Sequence, residues 1–259
     1  MPLPAYSLVA PGIWPQLCRQ MWQDSAPWAG LAPAQTRLVA LSLPALAELV
    51  ALPDLVDCLQ EEQILNSSEG ERLRTLTLPK RRTEWLGGRC AAKFALMQLY
   101  GQTRVAPACF AIANEDCGKP FVQTSLASPA VLPRLSLSHS GGLAVALAAE
   151  GPCGLDVQEA GPLLARVKER FASPAEQALG GSCAVLRWLA LIWAAKEAVK
   201  KCCYADQPTF MERIRVTALD SDPAADQPLI LWCTLADRPE PLAVRAAFAD
   251  GHALALVCL

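Results

Sequence analysis

The sequence predicts an α+β fold made of two similar halves. Helical and extended apolar patterns alternate along the 259 residues, and two short segments echo each other. AAKFAL from Ala91 and AAKEAV from Ala194 lie 103 residues apart, each inside a helical pattern. GLAVAL from Gly142 and HALALV from His252 lie 110 apart, each in an extended one. The same order and nearly the same spacing point to a pseudo-twofold repeat, with halves at 1–148 and 149–259.

The elements follow in order. Residues 1 to about 60 are rich in Pro and Ala with short apolar runs such as RLVALSL, which reads as strand and loop. Pro79 suits a first helical position, where a missing N–H costs nothing, and Gly101 suits a stop. Between them Leu86, Cys90, Phe94 and Met97 form an apolar stripe, with Arg82, Arg89 and Lys93 on another face. Short strands are expected at ACFAIAN, LAVALAA and GLDVQ. SPAEQAL announces a helix: Ser173 caps, Pro174 is the first residue and Glu176 completes a capping box. VLRWLALIWAAKEAVKK reads as a long helix, and the last fifty residues as three strands at RIRVTAL, LILWCTL and ALALVCL.

Composition narrows the classes. A hydrophobic fraction of 53% supports a large core, and a net charge of -2 argues against a nucleic-acid partner. The amino-terminal MPLPAYSLVAPGIWPQLC has four prolines and no basic start, so neither a signal peptide nor a membrane partner is expected. Eleven scattered cysteines without a Cys-x-x-Cys pair, beside two histidines, fit reduced thiols in the cytoplasm better than a zinc cluster.

Several short pieces carry chemistry. Asp156 and Gln158 are two apart on a strand and share a face; Glu197 and Lys201 are four apart on a helix and share another. If strand and helix pack together, the carboxylates and amide oxygen suit magnesium, which keeps several waters and favours substrate phosphates. The alternative is a surface Glu–Lys pair and an ordinary turn Asp. His139, in SLSHSGG, is a candidate base, phosphate ligand or structural residue. Ser138 and Ser140 flank it but point to the opposite strand face, and no Gly-x-Ser-x-Gly elbow exists, which weakens a Ser–His hydrolase. Arg82, Arg89 and Lys93 are of the type that grips phosphates, unless they are a solvated helix face.

Taken together, PKRRTEWLGGRCAAKFAL, GKP, SLSHS, GLDVQ and WAAKEAVKK resemble, in order and spacing, the Sfp-type phosphopantetheinyl transferases over roughly residues 79 to 201. The resemblance implies an active site at the seam between two halves. It implies transfer of the 4'-phosphopantetheine arm of coenzyme A to a serine of an acyl or peptidyl carrier protein. Adenosine 3',5'-bisphosphate is released, and magnesium is required, with manganese as the alternative. By the same resemblance, Lys119 and Pro120 line the adenine and ribose end, while Arg89, Ser138 and His139 hold phosphate oxygens. Asp156 and Glu197 hold the metal, Lys201 neutralises charge on the phosphoryl group, and Glu197 is the candidate base.

One position departs from the family's pattern. Gln158 stands where Glu is common, so the metal site loses one negative charge, and Gln158 or a water is the third ligand. LLARVKERF, with Arg166 and Lys168, is the expected docking surface for an acidic carrier. Two halves in one chain imply a monomer. The rival readings are a coenzyme A or nucleotide-binding module without turnover, the Ser–His hydrolase, and an adaptor with no small-molecule site.

Overall fold

The computed structural model describes residues 12–101, 105–124, 132–207 and 213–259. The first half contains α1 (Ile13–Ser25), β1 (Thr36–Ser42), α2 (Leu43–Val50), α3 (Leu55–Glu61), α4 (Ser67–Thr75) and α5 (Pro79–Leu99). It continues with β2 (Phe110–Asn114), β3 (Pro120–Thr124), β4 (Arg134–Ser140) and β5 (Leu143–Ala149). The second half contains β6 (Cys153–Glu159), α6 (Pro162–Val167), α7 (Pro174–Ala178), α8 (Val185–Cys203), β7 (Ile214–Leu219), β8 (Leu229–Leu235), β9 (Leu242–Ala249) and β10 (His252–Cys258).

The mixed helix-and-sheet class agrees with the expectation. So do the boundaries of α5, whose stop, Gly101, has φ +63. The first sixty residues differ: within the described part, β1 stands among α1, α2 and α3. Pro44 near the start of α2 begins a helix there rather than breaking one. The amino-terminal segment MPLPAYSLVAPGIWPQLC lies largely in residues 1–11, outside the described residues. The last fifty residues form four strands, β9 being the addition.

All ladders among the described residues are antiparallel. One sheet has the order β1-β5-β4, the second β6-β10-β9-β8-β7, and β2-β3 is a hairpin. Helix α5 packs on β1 and β5, and α8 on β6 and β10, so each long helix covers one sheet. The outer faces of β5, β6 and β10 share a third apolar layer, with Val145, Leu147, Leu155, Val157, Leu254 and Leu256 buried together.

Two buried ion pairs brace the helices. Lys93 of α5 meets Glu69 at 2.7 Å, and Lys196 of α8 meets Glu176 at 2.7 Å. Each glutamate also closes a capping box, with Asn66 on α4 and with Ser173 on α7, the second being the box expected from sequence. Each accepts a strand N–H as well, Ile112 N at 3.1 Å and Val216 N at 2.9 Å. Burial pushes both lysines down from the usual ammonium range, and the glutamates hold them partly back.

Close packing of α8 on β6 depends on Gly154. A Cβ there would lie 1.9 Å from the carbonyl oxygen of Ala198, so only glycine lets the helix approach. That approach brings Glu197 and Lys201 over the strand that carries Asp156.

Candidate active site

Strands β4 and β6 are the facing edges of two different sheets. On β6 the N–H groups of Leu155 and Glu159 point away from β10, toward β4. They donate to hydroxyls: Leu155 N to Ser136 Oγ at 2.9 Å, and Glu159 N to Ser140 Oγ at 3.0 Å. Ser138 lies between these two and donates to Asp156 Oδ1 at 2.6 Å. The alternation of SLSHS thus places three serines along the junction, where they replace a backbone ladder and satisfy an otherwise unpaired edge. His139 points elsewhere, with Nδ1 3.6 Å from Glu84 Oε1. Since Ser138 and Ser140 are engaged across the junction, neither is activated by His139, and the hydrolase reading falls.

Lys201 closes the same junction from α8. Its Nζ donates to Asp156 Oδ1 at 2.7 Å, to Leu155 O at 2.9 Å and to Leu137 O at 3.1 Å, so one ammonium spans both strands. Glu197, one helical turn earlier, is mostly buried and lies 3.7 Å from Lys200. Burial, and then the negative charge of Asp156, push the Glu197 carboxyl up; Lys200 and Lys201 oppose the rise. The convergence of Asp156, Glu197 and Lys201 expected from spacing is present. Gln158 shares the strand face of Asp156, and its Nε2 donates to Glu159 O at 2.9 Å.

A cavity of about 640 Å³ opens in front of this group. Leu137, Ser138 and His139 form one wall, with Lys201 at its base. Glu84, Trp85 and Arg89 of α5 form another, and Asn114, Gly118 and Pro120 of the β2–β3 hairpin a third. Arg89 is buried, stacks over Trp85 with its Cζ 4.8 Å from the ring centroid, and donates to Asn114 Oδ1 at 2.7 Å. Its Nε has no protein partner, and burial lowers the guanidinium to about 10. A guanidinium that lines the cavity is suited to receive an anion.

Of the sequence candidates, Arg89, Pro120, Ser138, His139 and Lys201 line the cavity, with Asp156 and Glu197 clustered about Lys201. Lys119 is half-buried in the hairpin turn and is not among the lining residues; its neighbours Gly118 and Pro120 are. The basic stripe needs correction. Lys93 is fully buried against Glu69, and Arg82 donates to the carbonyls of Leu73 and Leu76, so both serve the fold. The further cavity cations are Arg72 of α4 and Arg81 of α5. Arg81, Trp85 and Arg89 recur every four residues, a stripe that was readable; Arg72 sits on a helix the sequence reading did not contain.

The donor set is suited to magnesium. Asp156 and Glu197 feel each other's charge, and Gln158 adds an amide oxygen on the same strand face, which suits a hard cation that keeps several waters. Among the described residues no group of three or more His, Cys, Asp or Glu forms a metal cluster, in keeping with two carboxylates and an amide.

Residues 152–257 match the family model described as the 4'-phosphopantetheinyl transferase superfamily. No curated protein matches the chain. Solved structures similar to part of it include a holo-ACP synthase from Plasmodium yoelii, at 20% identity, covering 44% of this chain and 90% of that one, with TM-score 0.36. An ACPS–CoA complex from Chronobacterium ammoniagenes has 24% identity, 44% and 92% coverage, and TM-score 0.35. The Helicobacter pylori holo-[acyl-carrier-protein] synthase in complex with coenzyme A has 15% identity, 44% and 97% coverage, and TM-score 0.34. Asp156, Glu197 and Lys201 all lie inside the matched segment, so the part of the chain that resembles the 4'-phosphopantetheinyl transferase superfamily is the part that carries the carboxylates and the ammonium of the site.

Proposed function

We propose that the protein transfers the 4'-phosphopantetheine arm of coenzyme A to a serine of an acyl or peptidyl carrier protein, with magnesium, releasing adenosine 3',5'-bisphosphate. The observation that supports this best is the junction itself. Lys201, Asp156 and Ser138 are bonded together at the base of a cavity whose other walls carry Arg72, Arg81 and Arg89.

In this reading the cavity holds coenzyme A. Pro120 and the hairpin turn at Lys119 border the adenine and ribose. Arg89 takes a phosphate oxygen through its guanidinium, and Ser138 and His139 take others across the cavity. Arg72 and Arg81 add positive charge for the remaining phosphate. The carrier serine oxygen forms a new bond to the phosphorus that bears pantetheine, and the bond from that phosphorus to the departing nucleotide breaks. Glu197 receives the serine proton on its carboxylate, directly or through a water. Lys201 stabilises the charge on the phosphoryl oxygens as the nucleotide leaves. A magnesium ion held by Asp156, Glu197 and Gln158, or a water in place of Gln158, would neutralise the diphosphate and align it.

The halves 1–148 and 149–259 divide the work in this reading, the first binding coenzyme A and the second holding the metal and carrier. A monomer and a cytoplasmic location belong to the same reading. The carrier docks on α6 and the turn after it, where Arg166 is exposed and Leu163 is 65% exposed. Replacing Arg166 and Lys168 with Glu is expected to raise KM for the carrier and leave coenzyme A affinity unchanged; equal loss of both would remove the docking surface.

The deciding measurement is the intact mass of an apo carrier after incubation with the protein, coenzyme A and magnesium. A gain of one phosphopantetheine, absent with Glu197→Ala and after chelation, is the expected result. No gain across several carriers, with coenzyme A still bound in a titration, would instead identify a binding module without turnover.

A further inference from the structure

Cys153 opens β6 and Cys258 closes β10, and the two are directly opposite in the antiparallel ladder. The hydrogen bonds beside them fix the kind of pair they form. Leu259 N donates to Pro152 O at 2.9 Å and Ala160 N donates to Gly251 O at 2.9 Å, both in the register of that ladder. Hydrogen-bonded pairs therefore alternate from 152/259 onward, and Cys153/Cys258 is a non-hydrogen-bonded pair. Such pairs bring Cα atoms to about 4.5 Å and side chains closest together, inside the range of about 4.4–6.8 Å that a disulfide requires. Both side chains face the apolar layer between the two sheets, and both thiols are free. Cys153 is buried there, while Cys258 is half-buried and reachable from solvent.

We propose that Cys153 and Cys258 form a built site of thiol oxidation, closed to a disulfide by a small-molecule disulfide such as oxidised glutathione. Cys258 thiolate attacks the external disulfide, forms a mixed disulfide and releases one glutathione thiol. Cys153 thiolate then attacks the Cys258 sulfur and releases the second. The two cysteines lose two protons and two electrons, and the external disulfide gains the electrons. Burial holds the Cys153 thiol at about 12 and pushes Cys258 up as well, so thiolate is scarce near neutrality and closure speeds up with rising pH. Cys202 is the competing thiol, but it belongs to α8 and packs on the opposite face of β6, where Gly154 is.

The test is oxidation of the full chain by oxidised glutathione at pH 7 and pH 8.5, followed by alkylation and non-reducing peptide mapping. The expected result is loss of two alkylatable thiols, one cross-linked peptide joining Cys153 to Cys258, and faster closure at the higher pH. The bond encloses nearly the whole second half, so Tm should rise by about 5–10 °C on the loop-entropy estimate. Cys153→Ser abolishes the cross-link and Cys202→Ser retains it, each checked for a cooperative melt in the reduced state. A cross-link through Cys202 or Cys203, or no loss of thiols from the wild type at pH 8.5, would overturn the proposal. Because Cys153 is directed away from Asp156, carrier modification should change less than twofold on oxidation. That readout stands apart from the cross-link, so failure of the transferase reading would leave it untouched.

Discussion

The two buried lysine–glutamate pairs are built alike, yet the helices that carry them do different work. In each half a capping-box glutamate holds a helix lysine and a strand N–H, so one carboxylate ties three elements together. Counting from the paired lysines, Glu197 stands where α5 has the core residue Phe94, and Arg89 stands where α8 has the core residue Ile192. The brace is shared, and the working residues occupy positions the other half uses for packing. With the same internal brace, each helix turns a different face to the junction: α5 offers cations to a ligand, and α8 offers a carboxylate and an ammonium to β6.

That contrast can be broken at the brace. Glu69→Ala and Glu176→Ala each strand a buried ammonium, and each is expected to cost about 3–5 kcal/mol in denaturant unfolding. The paired replacement Glu69→Leu with Lys93→Met should cost less than Glu69→Ala alone; a greater cost would mean that the glutamate matters mainly as a cap. Next in size is Gly154→Ala, which pushes α8 off β6. A loss of about 1–3 kcal/mol is expected, together with a fall in turnover that Gly30→Ala, whose added Cβ would meet nothing closer than 3.8 Å, does not produce. Arg89→Ala should weaken coenzyme A binding by about 10- to 100-fold in calorimetry, the range for a hydrogen bond to a charged group. Arg81→Ala, on the exposed rim, should weaken it only about two- to fivefold and lose that effect in high salt. If Arg81 proves the larger of the two, the phosphate is held at the cavity mouth.

What was legible in the sequence was local. Pro79 and Gly101 bound α5, Ser173 and Glu176 cap α7, and the spacings Asp156/Gln158 and Glu197/Lys201 each place two groups on one face. The echo at AAKFAL and AAKEAV marked the lysines around which the two braces are built, although the sequence left Lys93 between a phosphate grip and a solvated helix face, and it is neither. Lys93 was misjudged because its burial depends on Glu69, 24 positions away on a helix the sequence did not announce. Arg72 escaped notice for the same reason. The stitching of β4 to β6 was out of reach as well, since an alternation of serines does not say which distant strand edge will receive them.

The serine junction has a mechanical consequence. Ser136, Ser138 and Ser140 behave as three rivets in one row, and the middle rivet is fastened to the carboxylate of Asp156. A hydrogen bond weakens steeply beyond its normal length, so a displacement of about 1 Å between the sheets would release all three together. Slippage of the two sheets and the setting of Asp156 are therefore one degree of freedom. The amides of Leu155 and Glu159, which bind the outer rivets, are its gauge: ligand that seats the junction should slow their hydrogen exchange in step with each other.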